Sequence, residues 1–147
     1  PALLDAPRQY GLAQTHKHLP EMQTLCGLAT APIFCPIVAD YYCGMEVTVP
    51  LHRGMLRGSA ADVQTVYRDL YTGPVVRYQE KAEEEGFFSA GKYANWDGME
   101  ISVHGNADRI LLCARYDNLG KGASGAAVQS FNIMTGQSET KGLRLGQ

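Results

Sequence analysis

The 147-residue sequence has no hydrophobic run near the roughly 20 residues that a membrane-spanning helix requires. It also lacks a large excess of charge of one sign, because 13 Lys and Arg stand against 15 Asp and Glu. The composition therefore predicts neither a membrane segment nor the basic surface with which proteins bind nucleic acid. With 45% hydrophobic residues, the sequence is typical of one globular domain, which we expect to span residues 1–147.

The four cysteines form no C-x-x-C pair, which argues against a zinc ribbon and against thioredoxin-type chemistry. This use of cysteine is typical of the reducing cytoplasm, where thiols stay free. None of the four lies in a strand-to-helix turn beside a base, so the sequence offers no recognisable nucleophile. The sequence begins at Pro1 without a Met, and we expect it to come from within a longer protein.

The hydrophobic pattern predicts an α+β fold with a largely antiparallel sheet covered by a few helices. Apolar residues alternate with polar ones over 45–51 and 99–104, and a third run over 110–116 forms a hairpin with the second. Ser59 and Asp62 have the spacing of a capping box, which predicts a helix up to about residue 70. Weaker strands are expected at 32–38 and 75–79, and a closing helix at 122–136. Residues 81–96 are expected to form a long surface excursion with a solvated acidic run at 83–85.

Residues 16–21 (HKHLPE) form the first candidate site. In an extended segment, His16 and His18 share one face, which suits two metal ligands or an acid/base pair in which Glu21 fixes a tautomer. A metal would need a third ligand, and no other His has a matching spacing, so we expect no metal. The third interpretation is that the two histidines lie exposed in a loop and have no chemical role. Pro20 and Glu21 suit the first turn of a helix.

Residues 117–125 (DNLGKGASG) form the second candidate site and contain G-x-G-x-x-G between a predicted strand and a predicted helix. No hydrophobic strand follows to complete a βαβ dinucleotide-binding unit, which argues against that fingerprint. Two readings remain. Either the helix N-terminus beside Lys121 binds an anion or an amide, or the glycines allow the helix to pack closely against a partner surface.

The two segments together resemble N-acetyl-γ-glutamyl-phosphate reductases. Residues 16–21 match H-[KR]-H-x-P-E, and residues 117–129 match D-N-L-x-K-G-[AT]-[AS]-G-x-A-V-Q about 100 positions later. Phe34, Cys35 and Pro36 lie between them in the expected place, as do Gly44 and Met45. The similarity covers residues 10–136, which correspond to the C-terminal domain of this family of glyceraldehyde-3-phosphate dehydrogenase-like reductases.

The resemblance implies an NADPH-dependent reductase of arginine biosynthesis that forms a thioester on a cysteine outside this sequence. NADP would be bound mainly by an N-terminal domain that is also outside it, on which the closing helix would pack. The implied partners are an acyl-phosphate substrate and further copies of the chain in a dimer or tetramer. The resemblance implies no nucleic-acid or membrane partner, and we expect the fragment alone to be inactive.

Residue roles follow from the matching positions. The resemblance gives His16 and His18 acid/base and substrate-orienting roles, without deciding which imidazole moves the proton, and gives Glu21 a supporting role. Polar contacts to the cofactor would come from the loop that contains Asn118, Gly120, Lys121 and Gly122. Lys17 and Asn95 are further expected substrate contacts. Arg53 is expected as another, on its place after the predicted strand at 45–51 and not on a matching position.

One position departs from the family pattern. Many members have Arg-Gly where this sequence has Cys43 and Gly44, so a guanidinium that could bind a carboxylate or phosphate is missing there. Arg53 is a possible replacement. The departure leaves open a substrate longer by one carbon, N-acetyl-aminoadipyl phosphate, because one methylene changes binding by only about 1–3 kcal/mol. Another semialdehyde dehydrogenase activity and a stand-alone metal-binding or anion-binding module are the remaining alternatives.

Overall fold

The computed structural model describes residues 5–146 of the chain. The chain divides into two compact units, residues 1–42 and 43–147. The expectation of a single domain over residues 1–147 stays a prediction.

The first unit contains one helix and a two-stranded sheet. Strand β1 (Arg8–Gln9) pairs antiparallel with β2 (Ile37–Val38), and helix α1 spans His18–Leu25. Strand β2 is shorter than the predicted 32–38 because prolines lack the N–H group that a strand needs for pairing. The side-chain amide of Gln14 replaces a strand neighbour there: it donates to the Phe34 carbonyl at 2.7 Å and accepts from the Phe34 N–H at 2.9 Å.

The second unit is built on a four-stranded mixed sheet. Its strands are β3 (Met45–His52), β4 (Val76–Tyr78), β5 (Met99–Gly105) and β6 (Arg109–Tyr116), in the spatial order β3-β6-β5-β4. Strand β6 pairs antiparallel with both β3 and β5, whereas β4 runs parallel to β5. The predicted hairpin and the predicted α+β class are confirmed.

Two longer helices accompany this sheet. Helix α2 (Ala60–Leu70) starts at the predicted capping box, in which the Ser59 hydroxyl accepts from the Asp62 N–H and the Asp62 carboxylate accepts from the Ser59 N–H at 2.7 Å. Helix α3 (Gly125–Met134) begins three residues later than expected, because Gly120–Ser124 form a π-helical turn first. Gly122, which was the expected first residue of the helix, therefore belongs to the wider π-helical turn and not to α3.

The sheet has an apolar face and a polar face. The apolar face carries the odd-numbered residues of β3 and β5 and the even-numbered residues of β6, as the register of the strands requires. Helix α2 packs on this face through Tyr67, whose ring lies 6.5 Å from that of Tyr78. Val103 and Ile110 are buried there, but Met45, Val47 and Val49 of the edge strand β3 are 37–47% exposed.

Burial on the polar face is the largest departure from the sequence-based expectation. Glu100, Ser102 and Arg115 are at most 1% exposed. They lie under residues 81–96, where Tyr93 and Trp96 are buried and where Glu84 binds Arg115 at 2.8 Å. Most of residues 81–96 are exposed, as a surface excursion requires, and so are Glu83 and Glu85. The expectation of a solvated run is wrong for Glu84, which supplies a counter-ion for a buried guanidinium, and the segment also supplies apolar cover.

Candidate active site

The two histidines of residues 16–21 lie together at the start of helix α1. Their ring centroids are 4.6 Å apart, and the Phe34 ring is 5.1 Å from that of His16. His16 is half-buried, whereas His18, the first residue of α1, is exposed. The structure thus brings the predicted pair together and gives its two members different environments.

A hydrogen bond fixes the tautomer of His16. The backbone N–H of His18 donates to His16 Nδ1 at 3.2 Å, so the proton of the neutral imidazole is on Nε2. This arrangement suits a group that donates a proton from Nε2 and later recovers it. The predicted helix start is confirmed, and Glu21 lies exposed in its first turn. Within residues 5–146, Glu21 forms no hydrogen bond with either imidazole. Lys17, between the histidines, is exposed.

The described residues, 5–146, contain no group of three or more His, Cys, Asp or Glu side chains that could hold a metal ion. The thiol of Cys113 is buried next to Thr48, with 3.4 Å between Sγ and Oγ1, and burial raises its pKa. Burial likewise raises the pKa of Cys43, and the neighbouring Asp117 carboxylate adds to the effect. A thiol with a raised pKa is a poor nucleophile at neutral pH, so neither buried cysteine suits attack on a substrate.

The glycine-rich segment turns tightly around Asp117. Its carboxylate accepts from the N–H groups of Leu119 at 2.7 Å and of Gly120 at 2.9 Å, and its backbone carbonyl accepts from Gly122 N–H at 2.8 Å. Those amides are therefore not available to an anion. Two side-chain donors remain in the loop, because Asn118 and Lys121 are both only half-buried.

Each of the two polar side chains of the loop has a defined internal contact. The Gly44 N–H donates to Asn118 Oδ1 at 2.8 Å, which leaves the Asn118 Nδ2 group to donate to a ligand. Lys121 Nζ donates to Gln129 Oε1 at 2.5 Å, and burial lowers the pKa of Lys121. Asn118 Nδ2 and Lys121 Nζ are therefore the side-chain donors that this loop can offer to a ligand.

The glycines serve close packing. A Cβ on Gly120 would lie 2.7 Å from Asp97 Oδ1 and 2.8 Å from the Trp96 carbonyl oxygen, and a Cβ on Gly125 would lie 3.0 Å from Asp97 Oδ1. Asp97 is itself held by Arg144, whose backbone N–H donates to Oδ2 at 2.8 Å. Of the two readings of the glycines, the geometry favours close packing, here against a segment of the same unit.

Asn95 joins this cluster, whereas Arg53 does not. Asn95 is in the left-handed region at φ 64°, where Asn is tolerated better than most residues, and its N–H donates to Asp117 Oδ2. Arg53 follows the other end of β3 and donates from its guanidinium to the Leu56 carbonyl at 3.0 Å. The eight-residue strand β3 separates it from Gly44 by about 25 Å. Arg53 is therefore no structural replacement for a guanidinium at position 43.

The sequence reading assigned no role to Asp117, Asp97 or Arg144. The sequence could have indicated the role of Asp117 in the turn, because an Asp side chain often accepts from the backbone amides two and three residues ahead. The pairing of Asp97 with Arg144 had no such signal, since 47 positions separate the two residues.

Taken together, the mixed sheet and the helices that accompany it define an α+β domain. A family model described as semialdehyde dehydrogenase, dimerisation domain, matches residues 1–118. The chain belongs to this family, which agrees with the resemblance noted in its sequence. Within residues 5–146, no helix is both long and apolar enough to cross a membrane.

Curated relatives include the N-acetyl-gamma-glutamyl-phosphate reductases of Brucella ovis, Brucella canis and Brucella melitensis biotype 2. Each is 43% identical to this chain over 136 residues, which cover 87% of the chain and 44% of the relative. The chain therefore spans less than half the length of the curated relatives it matches.

Proposed function

We propose that this chain forms the substrate-binding and dimerisation part of a cytoplasmic reductase. This enzyme converts N-acetyl-glutamyl phosphate to N-acetyl-glutamate semialdehyde in arginine biosynthesis, with NADPH as reductant. The observation that carries the proposal is the 43% identity to reductases of that name over 87% of the chain. The paired imidazoles and the side-chain donors of residues 118 and 121 support it.

The proposed reaction needs a proton-transfer group, and the histidine pair supplies one. When bound, the cofactor provides the hydride that reduces a thioester on a cysteine outside these 147 residues. One imidazole of the pair gives a proton to the oxyanion that forms and takes it back when the thiolate leaves and the aldehyde carbonyl forms. The other imidazole orients the substrate, together with Lys17 and Asn95. Asn118 Nδ2 and Lys121 Nζ contact the cofactor.

Single substitutions of the histidines test this proposal. The protein is produced with the segments that flank these residues in its gene, and phosphate-dependent oxidation of the semialdehyde is measured with NADP and with NAD. We expect His16→Asn or His18→Asn to lower kcat by about 10²–10⁴-fold, the larger loss marking the acid/base group. His52→Asn, an exposed histidine after which β3 ends, is the matched control and should keep normal turnover. Near-normal kcat for both variants of the pair would contradict the proposal.

Two further measurements test the rest of the proposal. The ratio of kcat/KM for the N-acetyl-glutamate and N-acetyl-aminoadipate semialdehydes identifies the substrate, and we expect the shorter one to be preferred. Light scattering tests the proposed homo-oligomer, which the exposed apolar residues of β3 favour. A monomer with one bound zinc ion and no reductase activity would instead support a stand-alone metal-binding module.

A further inference from the structure

The Asp117 carboxylate is buried at the end of β6 and is surrounded by donors. It is 2% exposed, and its two oxygens accept three backbone N–H groups, those of Asn95, Leu119 and Gly120. A buried carboxylate is costly unless its charge is hydrogen-bonded, and three backbone donors meet that need. Burial acts to raise the pKa of Asp117, but these donors outweigh it and hold the pKa below its usual range.

The three donors come from two separate segments that carry proposed site residues. Leu119 and Gly120 lie between the two proposed cofactor contacts, Asn118 and Lys121. Asn95 is a proposed substrate contact, and its left-handed backbone is held in place by the bond to Asp117. One buried carboxylate therefore fixes the backbone of both segments.

A third segment is connected through the residue next to Asp117. Asn118 Oδ1 accepts from the N–H of Gly44, the residue that immediately precedes β3. Gly44 has φ 121°, and a Cβ at that position would collide with the Ala90 carbonyl oxygen, so the approach is possible only for glycine. The orientation of the Asn118 amide thus depends on a turn whose shape Asp117 sets.

We propose that Asp117 is a positioning residue of the candidate site, which holds Asn118 and Lys121 toward the cofactor through the backbone without touching a ligand itself. This inference rests on the proposed function, because the ligand of the loop is taken to be a nicotinamide cofactor. Asp117→Asn keeps the size of the side chain but brings an NH2 group to face backbone donors. The turn should therefore lose its fixed shape.

The test is a comparison of kinetic constants in the protein with its flanking segments. We expect Asp117→Asn to raise the KM for the nicotinamide cofactor by about tenfold or more, and to raise the KM for the semialdehyde as well, because Asp117 also holds Asn95. The matched control is Glu100→Gln, which neutralises another buried carboxylate, bonded to Arg115 at 2.7 Å and outside the loop. This control should lower the midpoint of thermal unfolding and leave the cofactor KM within about twofold of the original. A cofactor KM unchanged by Asp117→Asn, or raised equally by Glu100→Gln, would overturn the proposal.

If Asp117→Asn does not fold, Asp117→Ser takes its place, since a Ser hydroxyl still accepts from an amide two or three residues ahead. A single hydroxyl oxygen cannot accept from all three amides that the two carboxylate oxygens hold, so the cofactor KM should still rise in that variant, and an unchanged cofactor KM would overturn the proposal. Amide hydrogen exchange at Asn95, Leu119 and Gly120 separates this inference from the proposed function. Faster exchange at all three in the variant supports the positioning role even if the original protein shows no reductase activity, whereas unchanged exchange overturns it.

Discussion

The two faces of the four-stranded sheet reach burial by opposite means. The apolar face, on which helix α2 packs, has Val103 and Ile110 buried and leaves the edge strand β3 partly exposed. The polar face buries Glu100 and Arg115 more completely than the apolar face buries most of its aliphatic side chains. The hydropathy of a face therefore does not determine its burial in this molecule.

Pairing explains how the polar face can be covered. Arg115 donates to Glu100 Oε1 at 2.7 Å and to Glu84 Oε1 at 2.8 Å, and its guanidinium carbon lies 3.9 Å from the centre of the Phe88 ring. Two carboxylates and an aromatic face replace the water that the guanidinium loses. Because Arg115 and Glu100 are both fully buried and neutralise each other, loss of Arg115 should cost more than loss of an aliphatic side chain.

Arg115→Met should have the largest effect. It leaves Glu100 buried without its cationic partner, and breaking a buried ion pair in this way costs about 3–5 kcal/mol of the free energy of unfolding. Denaturation by urea measures the loss. Arg109→Met, an exposed arginine that begins the same strand, is the control and should change stability by less than about 0.5 kcal/mol.

A double variant sharpens this prediction. Arg115→Met combined with Glu100→Gln removes both charges, and it should be less destabilised than Arg115→Met alone because no unpaired charge stays buried. Equal or greater destabilisation of the double variant would show that packing, and not charge pairing, holds the polar face closed.

The alternation of polar and apolar residues was sufficient to predict β3 and β5, and a continuous apolar run predicted β6, since both patterns are local properties of the sequence. The capping box likewise gave the start of α2 to the residue. Burial of Arg115 could not be predicted, because its partners Glu84 and Glu100 are 31 and 15 positions away. Tertiary contacts of that kind leave no period in the sequence.

The candidate site likewise has features that follow from local sequence patterns and features that depend on tertiary contacts. The histidine pair and the helix that begins at His18 follow from a local motif, and the structure agrees with both. The π-helical turn at Gly120–Ser124 does not, because Gly120 packs closely against Asp97, which is 23 positions away in the sequence. The proposed role of Asp117 depends on the tertiary structure, because its carboxylate accepts from both Asn95 and Leu119.

The second largest effect is expected on the apolar face. Ile110→Ala removes a side chain with no exposed surface and should cost about 3 kcal/mol, within the range for a large core residue replaced by alanine. Val49→Ala, on the same face but 47% exposed, should cost less than about 1 kcal/mol in the monomer. Urea denaturation compares the two, and similar losses would mean that β3 is covered in solution.

The smallest effect concerns acid pH and the acidic run that covers the polar face. The bonds to Lys92, and then those to Arg115, lower the pKa of Glu84 from 4.5 to about 2 against the effect of burial. Because the pKa is lower in the folded state, this stability is complete above pH 4.5 and disappears as the pH falls toward 2. The side chain is 39% exposed, so solvent screening reduces its contribution to about 1 kcal/mol.

Glu84→Gln should remove that much from the free energy of unfolding at pH 7 and flatten its decline between pH 4.5 and 2, whereas the exposed Glu85→Gln should leave the decline unchanged. An unchanged slope in Glu84→Gln would mean that Glu100 alone neutralises Arg115.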